Sequence, residues 1–314
     1  MSPPPAGPAP GADRPARPRS RPGDRTTPRS ELARRSSFAE ISPEVGVLDA
    51  DAFDDALAAD PDDALALLAE MAGATDESLR AAARRLAGRI VLDRARQGPP
   101  RDRGIGRLRA VPADRGGDLD LDASMPAIAD ARALGRAPAL DELTARAWAR
   151  PELAVCLLVD ASGSMGGARL AAAALTAAAC AWRAPGDWAV LSFARGVTEL
   201  RTIGSASPPT DVVDRVLRLR GDGVTALSAA LSAAGEQLGR SRAARRVTVL
   251  LSDCRASDDV DPVPAAARLD ELVVLAPADD CDQAAELAAR VGARWAPMQG
   301  PADAPAALSE LLTR

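Results

Sequence analysis

The sequence predicts an α/β protein: a doubly wound, mainly parallel sheet preceded by a small helical module and a disordered N-terminal arm. Three observations predict it. From residue 152 to the end, short apolar runs alternate with Ala-rich segments of helical period, as strands covered by helices on both faces do. Between 41 and 98 the apolar residues recur at helical spacing without strand-like runs. Nine of the first thirty residues are proline and six are arginine, with no apolar period, so the start of the chain cannot offset its ordering entropy. The boundaries this implies are an arm over 1–40, a helical module over 41–98, a linker and lead-in over 99–150, and the α/β domain over 151–314. A length of 314 residues accommodates one large domain or two modest ones.

Within the helical module Asp60 is a natural N-cap, followed by Pro61 in the first turn and by Leu65, Leu67, Leu68 and Met71 before Gly73 stops the helix. Thr75 is expected to cap a second helix carrying Leu79, Leu86 and Ile90, with Asp76 and Glu77 at the positive end of its dipole. Pro99 and Pro100 open the linker. A strand is predicted over Arg107 to Val111, a helix over about 125–134 and a strand over Thr144 to Ala149, with the acidic DLDLDAS at 118–124 read as a strand end and helix cap. In the α/β region the predicted strands are Ala154 to Val159, Trp188 to Phe193, Glu199 to Ile203, Val247 to Leu251, Leu272 to Ala276 and Arg294 to Pro297. The predicted helices lie near 168–183, 209–219, 226–239, 262–269, 281–291 and 303–313.

Composition removes several chemistries. The chain has no histidine, no lysine and no asparagine, so all 39 basic residues are arginine, a usage typical of GC-rich coding. Without histidine there is no Ser-His-Asp triad and no imidazole ligand for zinc. Without lysine there is no phosphate-binding lysine of a P-loop. Cys156, Cys180, Cys254 and Cys281 form no C-x-x-C pair and read as reduced thiols. No apolar segment is long enough to span a bilayer, and Arg34-Arg35 is not followed by an apolar signal core, so the protein is read as cytoplasmic with no membrane partner. The basic arm lacks aromatics for stacking and the remainder is acidic, which argues against nucleic acid as a partner. The four tryptophans, Trp148, Trp182, Trp188 and Trp295, read as core.

Ligands of doubly wound sheets sit at the carboxyl ends of the strands. Three loops there carry polar side chains: Asp160-Ala161-Ser162-Gly163-Ser164, Gly221-Asp222-Gly223-Val224-Thr225 and Ser252-Asp253-Cys254. Carboxylates and hydroxyls make an all-oxygen donor set that suits a hard divalent cation, Mg2+ or Mn2+, better than zinc.

The D-A-S-G-S-M string at the end of an apolar strand, with a distant threonine and a distant aspartate, resembles the metal-ion-dependent adhesion site (MIDAS) of von Willebrand factor A (VWA) domains. The resemblance covers about 150–314 and implies a metal site of Asp160, Ser162, Ser164, Thr225 and Asp253. The three hydroxyls would hold the ion directly and the two aspartates largely through water. It also implies that an acidic residue of a partner completes the coordination. Two positions depart from the family pattern: Ala226 stands where Asp or Asn commonly follows the threonine, and Cys254 where glycine is frequent.

The R-A-W-A-R-P approach at 146–151, then C-L-L-V-D-A-S-G-S-M and V-T-V-L-L-S-D-C-R, resembles the bacterial intracellular CoxE-like proteins that accompany MoxR-type AAA+ ATPases. This implies a non-enzymatic adaptor or client-recognition partner of such an ATPase, acting in metalloenzyme maturation. Two alternatives stand beside it: a subunit similar to the magnesium-chelatase D subunit, and a magnesium-dependent hydrolase or phosphotransfer enzyme using Asp160 and Asp253. The latter has no general base beyond carboxylates already committed to the ion.

Overall fold

The computed structural model describes residues 26–96, 107–149, 153–163, 165–221 and 223–313; for 107–109, 115 and 147–149 the backbone alone is described. The expectation for residues 1–25 lies outside these. Residues 26–40 are not a disordered arm. They form α1 (Arg29–Leu32) and lead into α2 (Phe38–Ile41), with Leu32, Phe38 and Ile41 fully buried. The Pro- and Arg-rich composition stops short of these three side chains, which supply the burial that ordering requires. Arg35 adds ion pairs to Asp63 (2.6 Å) and Glu70 (2.7 Å), each worth little at this exposure.

Next come α3 (Ala50–Ala59), α4 (Pro61–Met71) and α5 (Glu77–Arg96). Asp60 caps α4 as expected, accepting from the Asp63 amide at 3.1 Å. Thr75 does not cap α5. Asp76 does, accepting from the Leu79 amide at 2.7 Å, while the Thr75 hydroxyl shares a hydrogen bond with Thr26. A carboxylate at a helix start gains from the dipole as well as the hydrogen bond, so Asp76 is the better cap.

The lead-in forms a three-stranded antiparallel sheet of β1 (Arg107–Pro112), β2 (Asp118–Leu119) and β3 (Thr144–Ala149), in the order β1-β3-β2. Its helix α6 (Leu121–Ala133) begins four residues earlier than predicted because Asp120 caps it, accepting from the Ala123 amide at 3.0 Å. The DLDLDAS stretch is therefore a strand end and a cap.

The main sheet has six strands: β4 (Leu153–Asp160), β5 (Asp187–Phe193), β6 (Val197–Arg201), β7 (Arg245–Leu251), β8 (Leu272–Pro277) and β9 (Arg294–Met298). Their order is β6-β5-β4-β7-β8-β9, all parallel except β6, which pairs antiparallel with β5. Helices α7 (Gly167–Arg183), α8 (Pro209–Leu217), α9 (Leu227–Leu238), α10 (Val263–Ala266), α11 (Asp282–Val291) and α12 (Ala304–Leu312) fall where the sequence places them.

Strand alternation divides the core. Val155, Leu157 and Val159 of β4 face one side, with α7, α8 and α12. Ala154, Cys156 and Leu158 face the other, with α9, α10 and α11. The first of these cores does not end at α7: it continues without a break into Leu65, Leu68, Met71, Leu79 and Phe53. Helix α7 thus lies between the sheet and the N-terminal helices, and every residue from Leu170 to Ala181 is buried. Its alanines permit close approach on both sides. Gly167, at its start, sits so near the Ala66 carbonyl that a β-carbon there would come within 2.3 Å of that oxygen.

Candidate metal centre

Strand β4 is the point where the chain reverses its direction across the sheet: β5 lies on one side of it and β7 on the other. The crevice between the carboxyl ends of β4 and β7 is therefore the place where such sheets bind ligands. Register sets what meets there. Val159 pairs with Leu251, so the next residues, Asp160 and Ser252, leave their strands side by side.

Asp160 organises the first loop. Its Oδ1 accepts from the Ser162 amide at 2.9 Å and from the Ser162 hydroxyl at 2.6 Å. Its Oδ2 accepts from the Ser252 hydroxyl at 2.5 Å. A hydroxyl that donates its proton to a carboxylate keeps its lone pairs for another partner. Ser162 is thus presented as a neutral oxygen donor beside a carboxylate, which is what a hard divalent cation needs. The residues present fit the ion.

The second loop is fastened to the first by bare backbone. Gly221 lies against Gly163 so closely that a β-carbon on it would fall 1.7 Å from the Gly163 carbonyl oxygen, so no side chain can stand at 221. Thr225, at the end of this loop, is buried. Its amide donates to the Ser257 hydroxyl at 2.7 Å, and its carbonyl accepts from the Ser257 amide at 3.2 Å. Thr225 is tied in this way to the third loop. Ala226 follows with its amide on the Ala194 carbonyl at 2.8 Å and offers no side-chain oxygen.

In the third loop Asp253 accepts from the Arg255 amide at 3.0 Å, and it lines a cavity of about 430 Å3 together with Asp160 and Ser252. Cys254 has φ 64°, in the left-handed region that favours glycine. Its amide donates to the Ser252 hydroxyl at 2.9 Å. Burial first, and then the charges of Asp253 and Asp160, push its thiol up to about 12.

Of the residues expected at the site, Asp160 and Ser162 are in direct contact, Asp253 lines a cavity with Asp160, and Thr225 is joined through loop contacts. Ser164 lies outside the described residues. Two participants escaped the sequence reading as site residues. Ser252 holds Asp160 and Ser257 holds Thr225; the signal for Ser252 was a hydroxyl directly after the strand that neighbours β4. Among the described residues no three of the Asp, Glu and Cys side chains converge as a ligand cluster, so any ion here depends on hydroxyls. Among them, too, no helix is long and apolar enough to cross a membrane.

The family described as VWA domain containing CoxE-like protein matches residues 86–308. No curated protein matches the chain. Among solved structures the chain is similar to an aerotolerance-related membrane protein from Bacteroides fragilis, at 16% identity and a TM-score of 0.40, covering 52% of this chain and 98% of that one. It is similar also to a von Willebrand factor type A protein from Catenulispora acidiphila, at 18% identity and a TM-score of 0.39, covering 52% of this chain and 42% of that one. A third is the manganese-loaded TRAP protein of Plasmodium vivax, at 17% identity and a TM-score of 0.38, covering 47% of this chain and 69% of that one.

Proposed function

The chain belongs to the VWA domain containing CoxE-like family, and from that premise we propose that it is a metal-dependent docking protein, serving as adaptor or client-recognition partner of a MoxR-type AAA+ ATPase in metalloenzyme maturation. The observation that carries the metal part is the Asp160 carboxylate gathering two serine hydroxyls at the switch point of the sheet. Asp160, Ser162, Ser164, Thr225 and Asp253 would hold Mg2+ or Mn2+. When bound, the ion supplies a positive centre for a carboxylate of the partner. The hydroxyls are neutral, so they leave the ion's charge largely available for that contact. The chain's own part is to orient these oxygens.

A binding role is favoured over a hydrolytic one by the commitments of the acids. Asp160 uses both oxygens on hydroxyls, Asp253 is turned to the Arg255 amide, and the chain contains no histidine or lysine to move a proton. The test is recovery of partners by the tagged chain from a lysate of its own cells. In magnesium an AAA+ ATPase or its client is expected to co-purify with wild type, and to be lost with chelator or with Thr225→Ala. Recovery that chelator leaves unchanged contradicts the proposal.

A further inference from the structure

The cavity beside the candidate metal centre has Asp160 and Asp253 in its lining but not Ser162 or Thr225, and it is larger than an ion requires. Magnesium takes about six oxygens in an octahedron, and a water's share of liquid volume is about 30 Å3, so a fully hydrated ion fills on the order of 200 Å3. The cavity holds about 430 Å3. Roughly half is left for something else, and the lining indicates its chemistry. Asp160, Ser252 and Asp253 account for the metal end. Much of the remainder is apolar: Met165 before α7, Ala172 within it, Met298 at the end of β9, and Pro301 in the turn before α12, with Arg169, Asp279 and Gln299 also on the lining. Ala172, Met298 and Pro301 are buried in the fold, so the apolar surface open to the cavity belongs chiefly to the half-buried Met165 and the exposed Ala168.

The wall at 299–301 is held from behind by the N-terminal helices. Asp62, in the first turn of α4, accepts from the Ala302 amide at 2.8 Å. Gly300 rests on the same carboxylate, where a β-carbon would come within 2.3 Å. A wall fixed in this way keeps its shape before anything binds, which lowers the ordering cost of binding.

We infer that this cavity is a side-chain subsite: the partner segment that presents a carboxylate to the ion also inserts an apolar side chain, carried by a residue next to the acidic one, between α7 and the turn after β9. The inference rests on the metal-dependent docking reading above. A peptide segment fits better than a free small acid, since a lone carboxylate would leave the half-buried Met165 and the exposed Ala168 uncovered. Specificity then comes from two features together, a charge for the ion and an apolar neighbour for the cavity.

The probes are two blocked synthetic pentapeptides, Gly-Leu-Asp-Leu-Gly and Gly-Gly-Asp-Gly-Gly, titrated against the full chain with manganese and followed by broadening of the peptide proton signals. The leucine peptide is expected to bind about tenfold more tightly, equivalent to about 1.4 kcal/mol. Ala168→Leu and Gln299→Trp, both at exposed lining positions, are expected to erase that preference while the glycine peptide binds as before. Equal affinity of the two peptides, each lost on adding chelator, overturns the subsite and leaves metal-dependent docking standing. No chelator-sensitive binding by either peptide overturns the docking reading and the subsite with it.

Discussion

Cys254 is a cysteine in a glycine's conformation. Left-handed backbone costs an L-residue about 1–2 kcal/mol, and the buried side chain, whose thiol donates to the Ser252 carbonyl at 3.8 Å, offsets it. Cys254→Gly should therefore shift stability by less than about 1 kcal/mol, measured by urea unfolding, and leave manganese affinity unchanged. A second expectation concerns pH. Burial raises the Cys180 thiol from 9.0 to about 12 and pushes Cys156 up as well. The neutral form is thus favoured by folding, and the stability this confers is complete below pH 9 and lost as pH rises toward 12. Each unit above 9 removes about 1.4 kcal/mol per such thiol. Cys180→Ala should flatten the fall in thermal midpoint between pH 8 and 10.5, and an unchanged slope contradicts the assignment. At this scale the sequence was partly legible. Asp160 and Ser162 could be read because an apolar strand delivers them, whereas Ser252 and Ser257 act through contacts 92 and 32 residues away in the chain, and only register reveals them.

Helix α7 shows why elements were easier to place than their surroundings. Its run of alanines signalled a helix, and a helix that is apolar all round signals burial on every side. The sequence reading supplied a cover for the sheet face only, so the N-terminal helices were set apart as a module. They are the cover of the outer face. Overpacking is the expected failure: Ala174→Leu should cost about 1–3 kcal/mol, read from chemical unfolding, and a neutral result would mean that α7 has room on one side. Residues 26–40 misled for the opposite reason, since prolines and arginines upstream masked three well-spaced apolar anchors. Phe38→Ala should cost about 3–5 kcal/mol, and a loss under about 1 kcal/mol would show that α2 packs only loosely.

At the scale of the molecule, the N-terminal helices and the sheet share one core, and Asp62 and Gly167 join the two next to residues that line the cavity beside Asp160. A chain starting at residue 99 would bare the outer face of α7 and is expected to aggregate rather than fold, as light scattering would report; a monomeric, cooperatively melting product contradicts this. The sheet order puts Asp160 and Ser252 at the switch point; in the sequence the D-A-S-G-S-M string after an apolar strand marked the place, while strand order was not legible there. The central claim, that these loops hold one divalent ion through neutral hydroxyls, is tested most directly by manganese titration followed by EPR. Wild type should saturate at one ion per chain, and Asp160→Ala and Ser162→Ala should each weaken binding at least about tenfold, since even losses around a metal's ligands have that effect. Equal, non-saturable binding by wild type and both variants would contradict the account.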